Sequence, residues 1–514
     1  MGRIVTRREA ARELAARAAY ESLSACTELC WPYQRPGKRL VRGWAFDALV
    51  EHVEAWIIGL IPILGIAVPP GSSKSTIASR VAPFWAWLKH PEWRFICASY
   101  DVPTAVDFNR DRRDLVDNPQ LRALLRPPYR LRKGQRGAGK FSNDKTGYMM
   151  ATSPDSQATG YHSTRFILDD SLKPKDVYGP RLEKHDRWFS ETIQSRFEEQ
   201  ATPHMMAVSQ RLHQRDSVGL LKELYPDAEL LIIPAEADTK RPCVTVLGFR
   251  DPREVDGESF NPIRYPKTMF PAKRRQLGRQ MYSAQFLQKP LVEGGAILFK
   301  EWFDQNRYRV IPSHAKSRGH WLFSLDCTFH DGAGTDYVVA QVWLEHAGQA
   351  WLVHQTRRRM TFTQTMTVLE ALRETYPLQR KCLIEGKASG NGDAIADALT
   401  RGRPGESAKR VRGVEVIKPQ DSKGTRAAAV APLLEAGVIL FPEDELAPWM
   451  VDFVKEVEAF TGAPGMEDDQ VDAMTQALNH LRARLVRGAA RADREPRRQP
   501  LGGRRDHLDG DAGW

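Results

Sequence analysis

The stretch Ala67-Val68-Pro69-Pro70-Gly71-Ser72-Ser73-Lys74-Ser75-Thr76 follows the apolar run Leu60-Ile61-Pro62-Ile63-Leu64-Gly65-Ile66. Read as a buried strand, a tight turn and a helix start, it puts Gly71, Ser72, Ser73 and Lys74 where a nucleotide's phosphates lie. The backbone N–H groups of such a turn converge on an anion, and the helix N-terminus adds its dipole. Pro70 through Thr76 is therefore the expected ATP-binding segment, with Lys74 reaching the outer phosphates and the Ser75 hydroxyl placed to ligate Mg²⁺. Two positions depart from the usual pattern: Ser73 stands where glycine precedes the lysine, and Val68 where the first glycine falls. A plain turn capped by Ser72 and Ser73 is the competing reading of this stretch alone.

About a hundred residues on comes Ser-Thr-Arg-Phe-Ile-Leu-Asp-Asp, Ser163 to Asp170. Phe166-Ile167-Leu168 is a short buried-strand signal ending in adjacent carboxylates. Asp169 fits the acid that holds a magnesium shell, and Asp170 the one that orients and deprotonates the attacking water. The strand His204 to Ser209 runs into Gln210 and Arg211. Ser209 and Arg211 at that strand end are candidates for sensing the γ-phosphate and coupling its loss to the domain. Strands alternate with helices through this half, which predicts an α/β sheet with nucleotide at the carboxyl ends of the strands.

The whole chain has 514 residues, too many for one ordinary core, so two domains are expected. Its 42% hydrophobic and 27% charged residues are those of a globular protein. No apolar run spans a bilayer, so no membrane partner is expected; the best candidate, Ala55 to Val68, is broken by Pro62. Six cysteines form no CxxC pair and read as reduced thiols. The formal net charge of +11 suits a polyanionic partner.

The organisation reads as an N-terminal helical arm (1–30), a P-loop ATPase domain (31–285), a connector (286–315), an RNase H-like domain (316–483) and a basic tail (484–514) without apolar periodicity, expected to be disordered. Trp31, Tyr33 and Gln34 can flank an adenine ring or belong to a packed surface loop. Arg110, Arg112 and Arg113 on a helix are either a solvated face or a finger for a neighbouring site. Leu131 to Phe141, rich in glycine and base, reads as a loop.

In the second half, Trp321 to Leu325 is a strand that ends in Asp326, followed by strands at Tyr337 to Leu344 and Ala350 to His354 and a helix at Thr363 to Tyr376. That order opens an RNase H-like fold. Lys381 to Ile384 leads to a second acid, Glu385; Glu467-Asp468-Asp469 starts a last helix with Asp472 one turn on. Asp326, Glu385 and Asp469, with Asp472 assisting, can converge on two divalent cations for phosphodiester cleavage. Oxygen-only ligands suit Mg²⁺ or Mn²⁺ and disfavour zinc. Each acid alone is equally a strand-end or helix N-terminal carboxylate.

In this order, PPGSSKS, ATGYHSTRFILDD, DRWFSETIQSR, SQRLH, SAQFLQKP, FSLDCTF, TDYVVAQVW, LIEGKASG and EDDQVDA resemble the large terminase subunit of tailed double-stranded DNA bacteriophages, over roughly Trp31 to Leu481. The resemblance implies an N-terminal ATPase that moves duplex DNA into a procapsid and a C-terminal nuclease that cuts the concatemer. It implies ATP with Mg²⁺, two divalent cations in the nuclease, and double-stranded DNA, a small terminase subunit and a portal protein as partners. A homo-oligomeric ring in the cytoplasm of the bacterial host, docked transiently on the procapsid, goes with it. By position, Lys74 and Ser75 hold ATP and Mg²⁺, Asp169 is the metal-linked acid, Asp170 the catalytic acid, and Asp326, Glu385 and Asp469 the nuclease ligands. The family's loop often carries Arg-x-Gly before the lysine, and its last motif often begins with His where Glu467 stands here. An ATP-dependent helicase or repair nuclease, and a DNA-binding scaffold with degenerate sites, are the alternative readings.

Overall fold

The computed structural model describes residues 7–156, 160–292, 295–327, 337–386, 396–397, 399, 411–463 and 467–492. The chain divides into two compact units, one built on Met1–Leu298 and the other on Phe299–Pro419, Leu433–Glu458 and the residues from Glu467 onward; Gln420–Pro432 and Ala459–Met466 group with the first. The fold is mixed α/β, a P-loop-type sheet in the first unit and an RNase H-like sheet in the second.

The first unit's described strands are β1 (Ile63–Ala67), β2 (Arg94–Ala98), β3 (Leu131–Arg136), β4 (Lys140–Asn143), β5 (Tyr148–Thr152), β6 (Arg165–Asp169), β7 (Met205–Ser209) and β8 (Glu229–Ile232). They form one sheet in the order β3-β4-β5-β2-β6-β7-β1-β8. From β5 to the edge strand β8, the strands β5, β2, β6, β7, β1 and β8 pair in parallel. Parallel strands covered on both faces read as unbroken apolar runs, and β1, β6 and β7 are buried at every position. Because these strands share one direction, the loops after β1, β6 and β7 leave the same edge of the sheet.

Four expectations need correction here. Leu131 to Phe141 is not a loop: it supplies β3 and part of β4, an antiparallel pair at the sheet's edge. Backbone pairing holds β3 while nearly all of its side chains are exposed, so no apolar alternation marks it. Arg112 is neither solvated nor a free finger; it is fully buried and donates to Ser79 O (2.6 Å) and Asn109 Oδ1 (3.0 Å). Trp31 and Gln34 lie in the last turn of the helix Leu23–Gln34, not in a loop. That helix is separate from Arg7–Glu21, its start capped by the Ser22 hydroxyl, so the expected helical arm (1–30) is not one continuous element.

The second unit's described strands are β9 (Arg307–Tyr308), β10 (His320–Asp326), β11 (Tyr337–His346), β12 (Gln349–Arg359), β13 (Gln379–Glu385), β14 (Val414–Ile417) and β15 (Ile439–Pro442), in the order β14-β13-β10-β11-β12-β15-β9. β10, β11 and β12 form an antiparallel meander, and β13 then joins β10 in parallel. β12 runs five residues past His354 because its ladder with β11 continues to the Tyr337–Arg359 pair. The last helix runs from Asp469 to Ala492, well into the segment expected to be a disordered tail; residues 493–514 lie outside the described residues. So do residues 328–336 and most of residues 387–410. Among the described residues, no helix is long and apolar enough to cross a membrane.

Candidate functional site

At the carboxyl edge of the first sheet, the chain leaves β1 and turns through two left-handed residues, Gly71 (φ 77°) and Ser73 (φ 74°). Glycine suits position 71 because its backbone is left-handed, and a Cβ there would also lie 2.5 Å from the Tyr265 hydroxyl and push that side chain aside. Ser73, where the usual pattern has glycine, stands in the left-handed backbone region that glycine favours. Lys74 is buried, and its Nζ donates to Asp170 Oδ2 at 2.7 Å. Ser75 Oγ donates to Asp169 Oδ1 at 2.8 Å. The loop after β1 and the acids after β6 therefore meet, as their order in the sequence implies.

The electrostatics follow from burial. Asp169 is 1% exposed, and burial, reinforced by the negative charge of Asp170, pushes its carboxyl up to about 6. Burial alone lowers the Lys74 ammonium, but Asp170 and Asp169 outweigh it and hold Lys74 above its ordinary value. Ser75 and Asp169 supply the hydroxyl and carboxylate oxygens that Mg²⁺ prefers. Asp169 Oδ2 is buried and has no hydrogen-bond partner among the described residues, which suits a ligand position. This donor set fits a magnesium ion.

Other expected residues have different surroundings. Thr76 Oγ1 accepts from Arg35 (Nη2, 3.0 Å) and Arg80 (Nη1, 3.3 Å). The Pro70 carbonyl accepts from the Tyr265 hydroxyl, and Ser72 Oγ is buried without a partner among the described residues. Ser209 is buried at the end of β7. Arg211 is held by both oxygens of Asp216 at 3.0 Å, and the residue between Ser209 and Arg211, Gln210, donates its backbone N–H to Asp170 Oδ1 at 3.3 Å. Of the adenine candidates, Trp31 lines a cavity of about 480 Å³ together with Arg35, Lys38 and Leu40. Tyr33 instead donates to Gln120 and Gln34 to the Asp111 carbonyl.

Sequence reading misses Arg264 and Tyr265, which close over the loop. Arg264 Nη1 donates to Gly71 O at 2.6 Å and Ser73 Oγ at 3.1 Å. Both residues sit in a stretch without periodicity, 193 residues from Gly71 in Arg264's case, so no local signal marks them.

In the second unit, Leu325 pairs with Ile384 in the parallel register of β10 and β13. Asp326 and Glu385, each one residue further on, thus end adjacent strands, and both are buried. The helix Asp469–Ala492 packs on the same sheet. Ser324 Oγ donates to Ala473 O at 2.8 Å, and Gln476 Nε2 donates to Leu325 O at 3.2 Å. Asp472, one turn before Gln476 on that face, is 1% exposed, whereas Asp469 is half-buried. A buried polar network fixes the start of this helix: Glu456 accepts from the backbone N–H of Gln470 (2.7 Å) and Val471 (3.1 Å). Gln470 in turn contacts Gln355 and Gln341 of the sheet. Glu467 is exposed and pairs with Arg357 at 3.0 Å.

The backbone thus brings strand-end acids and the helix acids to one region with oxygen-only donors. Among the described residues, however, no three His, Cys, Asp or Glu side chains are grouped closely enough to hold a metal ion.

A phosphate loop facing paired acids in one unit, and an RNase H-like sheet with buried strand-end acids in the other, define the class: a P-loop-type fold joined to a nuclease-type fold. Residues 323–481 match the family model of the terminase RNaseH-like domain. The large terminase of a thermophilic bacteriophage is similar at 13% identity, over 86% of this chain and 99% of that one, with a TM-score of 0.51. The HK97 bacteriophage large terminase is similar at 12% identity over 90% and 99% (TM-score 0.36). The large terminase nuclease from thermophilic phage G20c is similar at 19% over 36% and 97% (TM-score 0.26). No curated protein matches the chain. At 13% identity the first of these likenesses establishes a shared fold: the chain has the fold of a phage large terminase and carries its RNaseH-like domain.

Proposed function

We propose that this protein is the motor subunit of viral DNA packaging. ATP hydrolysis in the first unit drives double-stranded DNA into a procapsid, and the second unit cuts concatemeric DNA with divalent cations. The observation that carries the reading is the meeting of Lys74 with Asp170 and of Ser75 with Asp169. In this reading Pro70 to Thr76 wrap the phosphates, Lys74 neutralises the outer ones, and Asp170 orients the attacking water and takes its proton. Mg²⁺ held by Ser75 and Asp169 would neutralise charge on the phosphate oxygens. Gln210, which reaches Asp170, joins Ser209 and Arg211 as a coupling residue. The glycine-like conformation of Ser73 speaks against a degenerate loop.

For the nuclease we propose Asp326, Glu385 and a helix acid as the residues that serve Mg²⁺ or Mn²⁺. Burial and the contacts of Gln476 support Asp472 in the third place, with Asp469 beside it. The small terminase subunit, the portal protein and a ring of copies belong to the same proposal. Its test is ATP turnover by the full chain with Mg²⁺, with and without duplex DNA. Turnover stimulated by DNA is expected; a chain that hydrolyses no ATP in either condition contradicts the motor.

A further inference from the structure

Two arginines touch the loop without a carboxylate in ion-pair distance among the described residues: Arg35, spent on Thr76 Oγ1 through Nε (3.2 Å) and Nη2 (3.0 Å), and Arg264, at the Gly71–Ser73 turn. Arg80 pairs with Asp111 (2.7 Å) and Arg211 with Asp216 (3.0 Å). Arg264 is half-buried, yet among the described residues no carboxylate lies within ion-pair distance of it. Its Nη1 is taken by Gly71 O and Ser73 Oγ, and among the described residues no hydrogen bond to its Nε or Nη2 is formed. Its place is built rather than accidental. Asn261 Oδ1 accepts from the Arg264 backbone N–H at 3.1 Å, and the next residue, Tyr265, packs on Phe260 (ring centroids 5.0 Å apart) and donates to Pro70 O. A cation held against an anion-binding loop, with donors to spare and no counter-charge, is completed by an anion.

We infer that Arg264 contacts the terminal phosphate of a bound nucleoside triphosphate, as a cation supplied within the same chain from outside the loop. The inference rests on the ATP reading of the Lys74 loop. Lys74 approaches that loop paired with Asp170. Arg264 approaches by way of Gly71 and Ser73. A terminal phosphate between them would meet two cations, and a diphosphate would lose the second. Arg264 would then discriminate triphosphate from diphosphate, which a residue that only staples the loop cannot do.

The test compares the full chain with R264A and R264K, measuring binding of ADP and of ATPγS, steady-state turnover and thermal unfolding. R264A should weaken ATPγS by about 10-fold while ADP changes by less than about 3-fold. Its kcat should fall by roughly 10³-fold, the scale of arginines that stabilise phosphoryl transfer. Its melting temperature should stay put, and R264K should recover part of the ATPγS affinity. Equal loss of ADP and ATPγS, or a fall in melting temperature that R264K fully repairs, would make Arg264 a loop staple and overturn the inference. If R264A matches the parent in every measurement, the inference also fails. A parent chain that binds neither nucleotide removes the ATP reading itself, and the inference with it; a parent that binds both leaves the variants to decide.

Discussion

The Lys74 ammonium lies 2.7 Å from Asp170 Oδ2 and ties the loop after β1 to the acid after β6. The lysine is almost wholly buried, while Asp170 keeps a quarter of its side chain exposed. Asp170 also sits at φ 46°, a left-handed backbone that Asn tolerates at least as well as Asp. Asp170→Asn is therefore expected to fold and to bind nucleotide as the parent does. Without a carboxylate to take the water's proton, its kcat should drop by about 10²- to 10⁴-fold. Nucleotide titration beside a turnover assay checks both halves.

The helix acids differ in depth. Asp472 is buried one turn from Gln476, whose amide reaches Leu325 O, the residue before Asp326; Asp469 is half-buried. Asp472→Asn should lower metal-dependent cutting of plasmid DNA by about 100-fold or more, and Asp469→Asn by less than about 10-fold. ATP turnover should be unchanged in both. The reverse ranking would move the third position to Asp469.

His185, on the helix Pro180–Arg187 of the first unit, is buried with Nε2 2.8 Å from Ser171 Oγ and 3.2 Å from Ser217 Oγ. Burial pushes it down from 6.5 to about 4, against a small upward pull from Asp216. The unfolded chain binds this proton first as pH falls, so stability is lost from about pH 6.5 downward and the loss is complete below about 4. The gap corresponds to on the order of 3 kcal/mol. Other carboxylates titrate in the same window, so the check is a difference. Thermal unfolding of His185→Gln should depend on pH less steeply than the parent, by about one proton at pH 5.

The phosphate loop and both strand-end acids are legible because each follows a short apolar run, and a parallel sheet sends such strand ends to one edge. Ser73 looks like a defect in sequence, but its backbone does what glycine would do. What stays hidden has no local periodicity. β3 is held by backbone pairing with its side chains outward, so it looks like a loop. Arg112 is charged on a helix and looks like surface, yet it is buried against Ser79 O. Arg264 and Tyr265 reach the loop from a stretch rich in proline, glycine and charge. Glu456 fixes the last helix through Gln470, a contact 14 residues apart that composition cannot announce.

Two chemically separate sites, one at Lys74 and one at Asp326, underlie the whole proposed mechanism. The most direct measurement assays ATP turnover and metal-dependent DNA cutting side by side in the parent, Lys74→Ala and Asp326→Asn. Lys74→Ala should lose ATP turnover and still cut, while Asp326→Asn should lose cutting and still turn over ATP. Loss of both activities in each variant, with folding intact, would contradict it.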